Sequence, residues 1–167
     1  MTPEEMVGAA IEAAESGLKA GELPIGAVVL SGDDVVGWAY TSERGRGRRL
    51  VHAGLLAMME SDERLGWVDH SEPLRLAVSL EPCVMCLGAA MALGVREVYF
   101  ALESPRDGAA RVAATWQPDP GMRGHQAPVM HGGIRRAESR EQFRRYTATA
   151  SDSPMRDWAR TIADLPD

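Results

Sequence analysis

The period of the apolar positions changes several times along the chain, and each change marks an element. Val7, Ile11, Ala14 and Leu18 recur at helical spacing, which predicts an amphipathic first helix. Ahead of them, Thr2 is a suitable cap, Pro3 suits the first helical position and Glu5 completes a capping box. Gly21 ends this helix. Pro24 to Leu30 is an apolar run rich in β-branched residues, Ser31-Gly32-Asp33-Asp34 is a turn, and Val35 to Tyr40 is a second strand. Together they read as a hairpin.

Thr41 to Leu50 is a loop rich in glycine and arginine. A second helix follows from about Val51 to Glu60, with Val51, Leu55, Met58 and Met59 on one face. Leu74 to Leu80 reads as a third strand. Pro82 opens a third helix that Gly94 closes, and Val95 to Leu102 is a fourth strand. The next stretch is irregular, with Pro118, Pro120, Gly121, Gly124 and Pro128. Pro128 to Ile134 reads as a short fifth strand, and helices are expected over Glu138 to Thr147 and Met155 to Ala163. Strands alternating with helices imply an α/β fold whose sheet is covered on both faces. In such folds, sites lie at strand carboxyl ends and helix starts.

Composition narrows the picture. The 167 residues fit one compact domain, and 45% hydrophobic content supplies a core. The net charge of −6 argues against nucleic acid as a partner, since phosphate binding needs clustered Lys and Arg. Arg44, Arg46, Arg48 and Arg49 are the local exception. Glu4 and Glu5 make the N-terminus unlike a secretory signal, and no apolar run reaches the roughly 18 residues a membrane span needs. Two cysteines three apart do not form a disulfide framework, so a reducing, cytoplasmic location is expected.

Those cysteines carry the chemistry. Pro82-Cys83-Val84-Met85-Cys86 follows a strand and opens a helix, where the helix dipole and free N–H groups favour thiolates. His52 starts the preceding helix. Two thiolates and an imidazole suit Zn2+ and leave a fourth position for water, whose pKa zinc lowers to roughly 7. A CxxC pair also suits redox exchange. That reading makes no use of His52 and lacks the usual aromatic residue before the first cysteine.

The chain resembles the cytidine deaminase-like superfamily, whose signature is H-x-E followed by P-C-x-x-C. It is most similar to the branch of bacterial tRNA adenosine deaminases and guanine deaminases. The matching residues are Leu23 to Val29, Val51-His52-Ala53, Leu80 to Ala89 and Val98-Tyr99-Phe100, in family order and spacing over residues from about 4 to 147. The resemblance implies a three-layer α/β/α sandwich around a mixed five-stranded sheet, with residues 1–167 one deaminase domain and 148–167 a helical extension. It also implies a homodimer or higher oligomer, with zinc on His52, Cys83 and Cys86. The implied reaction removes an exocyclic amine hydrolytically from a purine or pyrimidine, with a glutamate shuttling the proton.

The family glutamate is replaced by Gly54, giving His-Ala-Gly. Three readings compete: an introduced substitution that disables the enzyme, a natural non-catalytic zinc-containing subunit or binder, or another acid in its place. Glu81, Glu103 and Asp107 are the candidate acids. The intact ligand set favours the first reading.

The substrate is expected to be a free base or nucleoside, with a tRNA adenosine as the alternative and no membrane partner. Thr41 stands where related deaminases often carry an asparagine that touches substrate. The Ala53 backbone, Pro82 and Asp107 are further expected contacts. Trp116, His125, Phe143, Tyr146 and Trp158 are candidate stacking or lid residues.

Overall fold

The computed structural model describes residues 1–67, 71–122 and 124–167. Helix α1 spans Pro3–Lys19 and opens on a reciprocal capping box. The Glu5 N–H donates to Thr2 Oγ1 at 3.2 Å, and the Thr2 N–H donates to Glu5 Oε2 at 2.8 Å. Strands β1 (Gly26–Ser31) and β2 (Asp34–Tyr40) form the expected hairpin. A four-residue helix, α2 (Glu43–Arg46), then breaks the segment expected to be loop. Helix α3 covers Ala53–Leu65, β3 Leu74–Leu80, α4 Val84–Leu93 and β4 Val95–Leu102. Gly94 closes α4 in the left-handed conformation that glycine adopts without a Cβ clash. A second short helix, α5 (Ala110–Ala114), lies in the irregular stretch and was not expected. Strand β5 is shorter than the segment expected, Val129–His131, and α6 (Arg136–Thr149) and α7 (Pro154–Ala163) complete the chain.

The five strands form one mixed sheet in the order β2-β1-β3-β4-β5. The β2-β1-β3 pairings are antiparallel and the β3-β4-β5 pairings parallel. Alternation within the strands explains the three layers. Ala27 and Val29 of β1 join Leu74, Leu76, Val78 and Val98 in a core against α3 and α4. Val28 and Leu30 point the other way and join Ala77, Tyr99 and Ala101 beneath α1. Strands apolar on both faces require helices on both faces. A third cluster packs α6 and α7 together through Phe143, Tyr146, Ala159, Ile162 and Ala163, and seats them on Leu23, Leu80 and Leu102.

Gly37 allows the closest approach of the α3 layer. A Cβ there would sit 2.0 Å from the Ala57 carbonyl oxygen, so only glycine lets α3 lie flush on β2. Among the described residues, no helix is long and apolar enough to cross a membrane.

Candidate metal centre and adjoining cavity

Helices α3 and α4 begin side by side. Their N-cap residues are His52 and Cys83, both in extended backbone, and Cys86 lies one turn into α4. His52 Nδ1 is 3.5 Å from Cys83 Sγ and 3.9 Å from Cys86 Sγ. The three ligand atoms all lie within 4.8 Å of one another. A tetrahedral zinc with ordinary bond lengths sets its sulfur and nitrogen ligands about 3.6 Å apart. The donor set and its spacing therefore fit zinc. Two helix N-termini facing the cluster favour the thiolates such a site needs.

The three groups share protons. Contact with Cys83 Sγ, and then with the Glu43 carboxylate, raises the His52 pKa to about 10. A hydrogen bond from Cys86, reinforced by His52, holds the Cys83 thiol well below its usual range. The same contact together with burial pushes Cys86 up. A metal needs both sulfurs and the imidazole free of protons, so its binding releases them.

A cavity of about 580 Å³ opens beside the cluster. Its walls include His52, Ala53, Gly54, Cys83 and Cys86, together with Thr41, Pro82 and Asp107. Four of the expected contacts (Thr41, Ala53, Pro82 and Asp107) thus meet in one place. Trp158 lines it as well, from α7, and Phe143 stands behind in edge contact at a centroid distance of 6.1 Å. Tyr146 is buried in the α6–α7 core. Trp116 is not brought to this cavity. It packs beside Leu87, Met91, Ala109 and Ala113, and its indole N–H donates to the His125 carbonyl at 2.9 Å.

The room at position 54 is open. A Cβ built on Gly54 would meet only Cys86 Sγ at 3.5 Å and Cys86 Cβ at 3.7 Å, both ordinary contacts. A side chain there would run directly beside the cluster.

The acids offered as replacements are otherwise engaged. Glu103 forms a two-pronged pair with Arg136 at 2.7 and 2.5 Å, and is absent from the cavity wall. Glu81 lines the cavity, but its oxygens accept the Ser104 and Ala110 N–H groups at 2.9 and 2.8 Å. They pin the 104–110 segment, which brings Asp107 to the cavity wall. Asp107 accepts from the Ser104 hydroxyl.

Sequence reasoning missed Glu43. It lines the cavity from α2, with Oε1 3.4 Å from His52 Nε2 and Oε2 accepting the Thr41 hydroxyl at 3.1 Å. Burial opposes its charge, but the His52 hydrogen bond and charge outweigh this and hold its pKa below the usual range. Nine positions and an unexpected helix separate Glu43 from His52, so no local spacing announced the pair.

Comparison with known proteins places this geometry. Residues 1–102 match the cytidine and deoxycytidylate deaminase zinc-binding region. A tRNA-specific adenosine deaminase of Bacillus subtilis is 32% identical over 134 residues, 79% of this chain and 81% of that protein. A tRNA(Ile)-lysidine synthase of Deinococcus radiodurans is 32% identical over 163 residues, 94% of this chain but 27% of that protein, so the chain spans about a quarter of that relative. Among solved structures, one from work on A-to-I editing by tRNA:A34 deaminases superimposes with a TM-score of 0.71 at 29% identity, covering 83% of this chain and 98% of that one. The guanine deaminase of Nitrosomonas europaea superimposes with a TM-score of 0.72 at 24% identity, covering 88% and 85%, which shows a shared fold.

Proposed function

Since the chain belongs to the deaminase family defined by the cytidine and deoxycytidylate deaminase zinc-binding region, we propose that its cavity takes a free nucleobase or nucleoside beside zinc held by His52, Cys83 and Cys86. On this reading the protein is a hydrolytic deaminase scaffold lacking the proton-carrying carboxylate at position 54. The observation that carries it is the cavity itself, which opens directly onto the three ligand atoms.

Its size falls within the range of small-molecule sites. Leu23, Ile25, Val78 and Leu80 give it apolar walls, and Trp158 offers a flat face against which a heterocycle can lie. The Ala53 backbone and Asp107 supply polar contacts at its edge. Zinc in such a site supplies a Lewis acid and activates water at neutral pH.

This chain's residues hold the ring and shield it, but the proton must move without a side chain at position 54. Glu43, Glu81 and Asp107 each have partners already, which supports a site that binds better than it turns over. General acid–base catalysis contributes about 10²–10⁴ in rate, so its loss is large.

The relatives' tRNA substrates favour a second reading, an adenosine within tRNA. The net charge of −6 weighs against strong phosphate binding. A non-catalytic zinc-containing binder is the third, favoured by Gly54 alone.

The test is ammonia release from purine and pyrimidine bases and nucleosides by the zinc-loaded chain and by Gly54→Glu. Turnover is expected in the variant alone, and the responding compound names the substrate. Silence from both, with tRNA binding that weakens steeply with salt, would transfer the reading to tRNA. Silence with base binding intact would make the protein a binder.

A further inference from the structure

Thr41, Glu43 and His52 form a polar series that ends at the metal cluster. The Thr41 hydroxyl donates to Glu43 Oε2 at 3.1 Å, and Glu43 Oε1 faces His52 Nε2 at 3.4 Å. The far ring nitrogen, Nδ1, faces both cysteine sulfurs.

The series is anchored independently of the cluster. The buried Glu22 carboxylate accepts the Arg44 and Gly45 N–H groups at 3.1 and 2.6 Å, which fixes α2. The Ser42 N–H donates to the Val51 carbonyl at 3.1 Å, tying the start of α2 to the residue before His52. Glu43 is therefore placed by its surroundings and held against the ring.

A neutral imidazole carries one N–H. With the proton on Nε2, the N–H lies on the side of the Glu43 carboxylate and the Nδ1 lone pair faces the sulfurs. The opposite tautomer would set the Nε2 lone pair against a carboxylate and fill the ligand position with a proton. Resting on the reading that these three residues hold zinc, we propose that Glu43 is the positioning residue for His52, fixing the ring's orientation and the tautomer that presents Nδ1 to the metal. A carboxylate behind a metal-bound histidine raises its basicity and restrains its rotation.

The test measures zinc affinity by chelator competition for the unaltered chain, Glu43→Gln and Glu43→Ala, with ¹⁵N shifts of the zinc-loaded proteins reporting the His52 tautomer. Glu43→Ala is expected to bind zinc about 10–100-fold more weakly. Glu43→Gln keeps an acceptor, so it should fall between, with the Nε2–H tautomer retained. Thermal unfolding run alongside separates lost ligand positioning from lost fold, and Glu43→Gln keeps the side-chain shape if the alanine variant folds poorly. Unchanged affinity in both variants, or an unaltered chain binding zinc through Nε2, would overturn the inference while leaving the zinc reading intact. An unaltered chain that takes up no zinc would overturn both.

Discussion

The floor and the roof of the cavity are held in different ways. At the floor, main-chain bonds set the positions of the ligands. Leu56 N–H donates to the His52 carbonyl, Leu87 N–H to Cys83 and Ala109 N–H to Pro82, each at 2.9 Å. At the roof, α7 is held mainly by side chains. Its Trp158 leans on Phe143, and Ala159, Ile162 and Ala163 fill the core shared with α6. Main-chain bonds tolerate little displacement, which suits ligands that must converge on one atom. Side-chain packing can be refilled with other apolar residues at modest cost. The family match ends at residue 102, so it contains His52, Cys83 and Cys86 and none of α7. The three clustered ligand residues and the Trp158 wall of the cavity therefore come from separate parts of the chain.

The largest effect expected is at the floor. Cys86→Ser should abolish stoichiometric zinc binding, measured by metal analysis after dialysis, because a hydroxyl replaces the soft thiolate. Base binding through the roof should survive in part. Loss of both together would show that floor and roof are one unit.

Next comes the support of the roof. Phe143 is fully buried, and Phe143→Ala should cost about 3–5 kcal/mol in denaturant unfolding. The companion Trp158→Ala should weaken base binding in calorimetry with zinc content unchanged. Zinc lost from Trp158→Ala would break the division between the two regions.

The smallest effect is at the clasp between the end of β4 and α6. Arg136 holds the Glu103 carboxyl below its usual range. A depressed carboxylate stabilises the fold above its unfolded pKa, and that contribution disappears as pH falls through the folded value. Arg136→Gln should therefore lower the melting temperature slightly at neutral pH and not in acid. Glu103 is partly exposed, so the shift should be modest and fade in salt. A variant equally destabilised at both pH values would refute the ion pair as its source.

The sequence was most legible where one signal dominated. The period of α1 and its capping box, and the apolar runs of β3 and β4, fixed those elements to within a residue or two. His52, Cys83 and Cys86 were readable because helix starts concentrate them in known positions. Helices α2 and α5, of four and five residues, are too short to show a period. Trp116 was expected at the cavity on its aromatic character, yet a tryptophan carries as much apolar surface to a packing contact elsewhere, and it lies partly buried against the Leu87, Met91, Ala109 and Ala113 cluster. Glu43 lay in a segment expected to be loop, and its meaning depends on a turn of chain that Glu22, far earlier, helps to hold in place.

The bare backbone at Gly37 makes α3 a lever with its fulcrum at Ala57. A methyl group on that strand would lift the helix off the sheet, because its nearest obstacle is a carbonyl oxygen that cannot swing aside. His52 stands just before the helix, five positions from Ala57, roughly 7 Å along the axis. Tilting the shaft there would swing the imidazole off its aim at the two sulfurs. The alignment of the metal corner is therefore calibrated from β2, by a residue that touches neither ligand nor cavity.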